Sequence, residues 1–388
     1  MKYNFDKETE RRGTFSYKWD SASENELAMW VADMDFETAP PVKRAVEEIA
    51  AHGIYGYSTT PDDYFSAISD FWCENYSYRT PCENTAFATG VVAALSSLVR
   101  KLSTPAENVL IQAPVYNVFY NSILNNGRNV VSNDLVYENG EYRIDFVDLE
   151  EKLSDKQTSL MILCNPHNPI GKIWDRKTLA KIGELAAKYG VTVISDEIHC
   201  PLTRPGLEYI PFASVNSTCE NISVTCISAS KAFNLAGIQA AAVYAKNPTL
   251  FHKAWRGLNT DEVGEPNIFA MRASIAAYRE GGEWLRQLRK YLFDNRSFAE
   301  EYIRKNMPKC HPVYADATYL MWLDVSYYTD NSTEFAKELR QKTGLWVSGG
   351  AQYGEGGKGF LRINLATQRK KVEDAMTRLS SYINSLDK

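Results

Sequence analysis

Residues 160–199 read LMILCNPHNPIGKIWDRKTLAKIGELAAKYGVTVISDEIH. The run 160–164 is short and wholly apolar, the pattern of a strand covered on both faces. Leu179, Ile182, Leu185 and Ala186 then recur at helical spacing across 176–189, with Gly190 placed to stop the helix. A second apolar run, 191–195, follows at once. Strand, helix and strand in that order make a βαβ unit, which implies parallel strands joined by a crossover helix.

The same alternation extends outward. Short apolar or β-branched runs at 85–88, 108–112, 223–227 and 240–244 are separated by helix-like segments. This predicts an α/β fold with a mostly parallel sheet sandwiched by helices. Past residue 280 the pattern changes to a long charged helix over 284–305, then strands over 318–324 and 359–366 flanking a helix over 333–343. That is the signature of a smaller α+β domain. The expected division is an N-terminal segment 1–45 packing with the small domain, a large domain 46–280 and a small domain 281–388.

Composition narrows the possibilities. With 388 residues and 44% apolar side chains the chain can bury a large core. Its 43 basic and 48 acidic residues are interspersed, for a formal net charge of −5, so no basic stripe offers itself to nucleic acid. The polar N-terminus and the absence of any run of about 18 apolar residues argue against a signal peptide or a membrane span. Seven cysteines without a C-x-x-C pair fit reduced thiols and a cytoplasmic location. Five scattered histidines offer no metal-binding spacing.

In open parallel sheets, ligands sit beyond the carboxyl ends of the strands. Asn168, Asp196 and Lys231 each lie just past an apolar run. A lysine amine can form a Schiff base with an aldehyde, a buried aspartate can hold a ring nitrogen protonated, and an asparagine can hydrogen-bond a phenolic oxygen. Pyridoxal 5'-phosphate (PLP) asks for that trio. Thr89-Gly90-Val91-Val92 leaves a strand and opens a helix, where free N–H groups favour a phosphate. Ser228 and Ser230 could add hydroxyls to the same anion, and Tyr116 could lay its ring against a flat heteroaromatic group. Arg362 interrupts a strand with a planar fork suited to a carboxylate. Gly354–Gly359 spells G-x-G-x-x-G but leads into a strand, so it lacks the dinucleotide geometry and reads as a mobile loop ahead of Arg362.

The motifs TGVV, PVY, NPHNPIG, SDEIH, SASKAFN and LRIN, in this order, resemble those of the fold-type I PLP enzymes that include the class I/II aminotransferases. RRGTFSYKWD at 11–20, MWVADMDF at 29–36, YGYS at 55–58, DEIH and SKAFN are similar to the cystathionine β-lyase, or carbon–sulfur β-lyase, branch. The resemblance implies a PLP-dependent transferase-like fold with a seven-stranded type of sheet. It implies that Lys231 carries the cofactor, Asp196 pairs its ring nitrogen, Asn168 meets its phenolic oxygen and Tyr116 stacks on its ring. Val91, Val92 and Ser228 or Ser230 would lie near the phosphate, with His199 also against the cofactor. Tyr57 would reach the phosphate of a neighbouring subunit in a homodimer with shared sites. Arg362 would take the substrate carboxylate, with Trp30, Ala32, Tyr116 and Asn168 close to the bound amino acid. Two positions depart from the general aminotransferase pattern: His199 stands where those enzymes have tyrosine, and Gln239 where they have a phosphate-binding arginine.

The expected activity is β-elimination from a sulfur-containing L-amino acid, giving a thiol, pyruvate and ammonia. The alternatives are an aminotransferase, and a protein that keeps PLP as a ligand without turnover.

Overall fold

The computed structural model describes residues 2–387. Seven strands form the larger sheet: β1 (Thr85–Ala88), β2 (Asn108–Ile111), β3 (Asn129–Ser132), β4 (Thr158–Cys164), β5 (Thr192–Asp196), β6 (Ser223–Ile227) and β7 (Ala241–Tyr244). Their spatial order is β1-β7-β6-β5-β4-β2-β3. Only β7 runs antiparallel to its neighbours; the other pairings are parallel. The predicted α/β architecture is therefore present. The sequence reading named six of the strands and missed β3, whose Asn-Val-Val-Ser is half-exposed at the sheet edge and too short and polar to show a strand period.

Helix α1 (Val91–Leu102) packs Ala94, Leu95 and Leu98 on one face of the sheet. Helix α2 (Arg176–Lys188) covers the other face with Leu179, Ile182 and Leu185, the side chains whose spacing announced it. Asp175 caps α2 by accepting from Thr178 N at 2.7 Å. At about 25 cal/mol per Å² of apolar surface removed from water, such faces supply most of the drive to fold.

A second sheet is antiparallel, in the order β8 (His311–Pro312), β9 (Leu320–Asp324), β11 (Phe360–Asn364) and β10 (Ser348–Gly349). The helices α3 (Gly282–Asn306), α4 (Ser332–Thr343) and α5 (Arg369–Leu386) cover it. Leu27–Ala28, near the N-terminus, pairs in parallel with Leu345–Trp346, so the beginning of the chain is stitched to this unit.

The glycine-rich stretch before β11 is not the loose loop its composition suggested. It winds into two 3-10 turns, Gly350–Tyr353 and Glu355–Gly357, whose backbones nearly touch. A Cβ on Gly357 would lie 2.1 Å from the carbonyl oxygen of Gly350. The glycines permit close packing that fixes the start of β11, rather than mobility.

Candidate active site

A cavity of about 490 Å³ opens at the carboxyl ends of β4, β5 and β6, where parallel-sheet topology leads one to look. Asp196, the last residue of β5, lies in its floor, with Asn168, His199, Ser230 and Lys231 around it and Tyr116 on its wall. Burial pushes the Asp196 carboxyl up to about 6, partly offset by the hydrogen bond from Ile198 N at 3.1 Å and the positive charge of Lys231. Burial, with help from Arg362, brings the Lys231 amine down to about 8, against the opposing pull of Asp33 and Asp196. His199 is driven to about 3 by burial and by the same two cations, so its imidazole is neutral.

At one end of the cavity, residues 89–93 present the start of α1. Gly90 has φ +121°, a conformation glycine adopts without strain, and a Cβ built on it meets nothing within 4 Å. The first N–H groups of a helix lack intrahelical partners and face whatever anion approaches. Gln239, itself at φ 54°, lines this region where an arginine would add charge. Ser230 lines the cavity, whereas Ser228 is buried beside it. Ser228 Oγ donates to Ala240 O at 2.6 Å and accepts from Ser230 N at 3.0 Å. Its hydroxyl shapes the turn instead of facing the cavity.

Arg362, on β11, reaches this site from the second sheet. Its Nη1 donates to Asn168 Oδ1 at 3.3 Å and its Nη2 to Trp30 O at 3.0 Å, while Nε has no partner among the described residues. The guanidinium lies 4.8 Å from the Tyr353 ring centroid. Trp30 offers its carbonyl; its indole stacks on Trp346 at 4.5 Å. The Ala32 carbonyl accepts from Lys231 Nζ at 2.8 Å. Tyr57 is fully exposed and does not reach the cavity of its own chain. Sequence reasoning gave no role to Asp33, whose charge acts on Lys231, nor to Asn234, Tyr319 and Asn364, which donate to the carbonyls of Met34, Ala32 and Asp33. LRIN contained Asn364, SKAFN contained Asn234 and MWVADMDF contained Asp33, so these three lay within motifs already quoted.

The residues fit PLP. A carboxylate this deeply buried, with one backbone N–H for support, needs a cationic partner, and a pyridinium N–H is one. The amine of Lys231 shares its cavity, Asn168 keeps its Nδ2 donor for a phenolic oxygen, and the α1 N-terminus suits a phosphate. No group of histidine, cysteine and carboxylate side chains able to hold a metal occurs among the described residues, and no described helix is long and apolar enough to cross a membrane.

Residues 26–379 match the family model for aminotransferase class I and II. Cystathionine beta-lyase PatB of Bacillus subtilis is 41% identical over 387 residues, covering 98% of this chain and all of the relative. Among solved structures, a PLP-bound C-S lyase from Staphylococcus hominis superposes with TM-score 0.92 at 32% identity, covering 99% of this chain and 98% of that one. A PLP-bound protein from Clostridium difficile 630, provisionally named an aminotransferase, gives TM-score 0.95 at 35% identity over 99% of this chain and all of the other.

Proposed function

The chain belongs to the aminotransferase class I and II family, and from that premise we propose a PLP-dependent carbon–sulfur β-lyase of the cystathionine β-lyase type. The observation that carries the reading is the placement of the buried Lys231 amine and the Asp196 carboxylate in one cavity, with Arg362 at its side. The relatives named as lyases, matched over nearly the whole chain, favour elimination over amino-group exchange. So do His199 and Gln239, where general aminotransferases differ.

In this reading Lys231 would hold the cofactor, Asp196 its ring nitrogen, Asn168 its phenolic oxygen, Tyr116 its face, and residues 91, 92 and 228 or 230 its phosphate. When bound, the cofactor supplies an electron sink for the pair left at the substrate Cα. Arg362 binds the α-carboxylate and orients the Cα–H toward Lys231. The lysine amine, already lowered by its surroundings, takes that proton. Asp196 keeps its negative charge against the ring nitrogen, and neutral His199 adds no competing cation. The Cβ–S bond breaks with its electrons going to sulfur. Overall, substrate and water become thiol, pyruvate and ammonia, so atoms and charge balance.

Residues 46–280 would carry the cofactor, and 281–388, with 1–45 against them, the substrate carboxylate. The exposure of Phe15, Ile54, Tyr55 and Tyr57 supports a homodimer in which Tyr57 reaches the neighbouring subunit's phosphate. Seven free cysteines suit a reducing cytoplasm.

The test is pyruvate release from L-cystathionine and L-cysteine by PLP-saturated protein without any 2-oxo acid. Lys231→Ala should reduce it by about 10³-fold or more. Lysine-dependent pyruvate supports the lyase. A cofactor absorption band that responds to amino acids, with product only when a 2-oxo acid is supplied, would replace it with an aminotransferase. A responsive band with neither product would leave a binding protein.

A further inference from the structure

The loop Met29–Met34 borders the cavity through Ala32, and its carbonyls are held one by one. Asn364 N donates to Met29 O at 2.9 Å, Arg362 Nη2 to Trp30 O at 3.0 Å, and Lys231 Nζ to Ala32 O at 2.8 Å. Between and beyond these, one side-chain amide makes two bonds: Asn364 Nδ2 donates to Val31 O and to Asp33 O, each at 2.6 Å. Asn364 itself is 1% exposed, and its Oδ1 accepts from Ala366 N at 2.8 Å, so the amide cannot turn.

The geometry has a direct consequence. With the carbonyls on both sides of Ala32 turned toward Asn364, the Ala32 carbonyl is left facing Lys231, where it also accepts from Tyr319 OH at 2.9 Å. We propose that Asn364 is a positioning residue for Lys231: by holding Val31 and Asp33 on one amide, it aims the Ala32 carbonyl that fixes the direction of the lysine amine. The inference rests on the assignment of Lys231 as the lysine that moves the Cα proton. A free amine on four methylenes has many rotamers, and a proton transfer needs one of them. Misplacement by an ångström costs rate, not binding.

The charged and titratable groups facing the amine are Arg362, Asp33, Asp196 and His199, together with the Tyr116 and Tyr319 phenols and the Cys164 thiol, which burial pushes up and keeps uncharged. A carbonyl acceptor adds to these by favouring the ammonium form, so loosening Ala32 should lower the pH at which the amine loses its proton.

The test uses Asn364→Ala and the milder Asn364→Ser, whose hydroxyl can serve one of the two carbonyls. In cofactor-free protein, trace acetylation of Lys231 by acetic anhydride across pH, read by peptide mass spectrometry, gives the midpoint of the amine. In Asn364→Ala this midpoint should fall by about half to one pH unit, as expected for weakening one hydrogen bond to a charged group. Asn364→Ser should fall between that variant and the wild type. In the PLP-loaded protein, kcat should drop about 10- to 100-fold with KM within about threefold. A folded variant with the wild-type midpoint overturns the proposal whatever happens to kcat, because lost turnover alone is what a purely structural asparagine would give. Should Asn364→Ala fail to fold, Asn364→Ser decides by the same midpoint. The underlying assignment is tested separately: persistence of PLP attachment and turnover in Lys231→Ala would remove Lys231 itself, while silent Asn364 variants beside an inactive Lys231→Ala remove only this inference.

Discussion

Arg362 Nη1 donates to Asn168 Oδ1 at 3.3 Å, joining a strand of the second sheet to the turn that follows β4 of the first. The bond also orients the asparagine, since an Oδ1 turned to the guanidinium leaves Nδ2 for the cavity. The residue assigned to the substrate carboxylate and the residue assigned to the cofactor oxygen therefore set each other's geometry.

Replacing Arg362 by lysine should expose that coupling. An ammonium keeps the charge but loses the planar fork, and it cannot hold Asn168, Trp30 and a carboxylate together. The loss of one charge-assisted hydrogen bond is worth about 1.5–3 kcal/mol, so KM should rise by about 10- to 100-fold. Steady-state kinetics check this; an unchanged KM would take the carboxylate away from Arg362.

Asp35 anchors the N-terminal segment. It accepts from Lys18 Nζ at 3.1 Å, Arg11 Nη1 at 3.1 Å and Trp19 Nε1 at 2.8 Å, and Lys18 is 1% exposed. Asp35→Ala removes the nearer of the two carboxylates paired with the buried Lys18 ammonium, leaving Asp33 Oδ1 at 3.6 Å, and should cost up to about 3–5 kcal/mol. Denaturant titration should show the midpoint falling accordingly, and a change under about 1 kcal/mol would mean that Asp33, already paired with the lysine, holds it by itself.

Glu197 is buried behind the site, accepting from Phe212 N and Ser195 Oγ, both at 2.9 Å, with Oε2 unpartnered among the described residues. Burial pushes its carboxyl up to about 7. The folded form thus binds a proton that an unfolded glutamate has released, so stability falls as pH rises from the ordinary glutamate range through about 7. Glu197→Gln, which keeps the acceptor and cannot ionise, should be more stable than wild type at pH 8 by on the order of 2–3 kcal/mol, with the gain vanishing toward pH 4.5. Melting curves across pH decide it; a gain independent of pH would assign the effect to packing.

Gly357→Ala should reach the site from a distance. The added Cβ meets the Gly350 carbonyl, so the two 3-10 turns must part and the start of β11 must move. Overpacking of this kind costs about 1–3 kcal/mol. A lower melting temperature together with a raised KM is expected, and destabilisation with unchanged KM would show that Arg362 is insulated from the turns.

Much of this site was legible because local pattern and topology coincide. Apolar runs gave strands, and parallel topology directed attention to their carboxyl ends, where Asn168, Asp196 and Lys231 stand. The reading failed where a residue's role depends on a partner far away in sequence. Ser228, offered with Ser230 as a phosphate ligand, turns its hydroxyl to Ala240 O in this structure, a contact its motif does not announce. The glycines at 354–359 looked mobile because composition does not reveal that their turn presses on the preceding one at 350–353.

By itself the sequence determined the α/β architecture and the order of the chemical residues along it, because strand and helix periods are properties of neighbouring side chains. Tertiary structure alone decided which groups hold the loop beside the site. Asn364 reaches Val31 across a sequence separation of 333, and Lys231 reaches Ala32 across 199. Such bonds go to backbone carbonyls, which every residue carries, so no residue type at positions 31–33 announces them; only the packing of the two sheets brings donor and acceptor together.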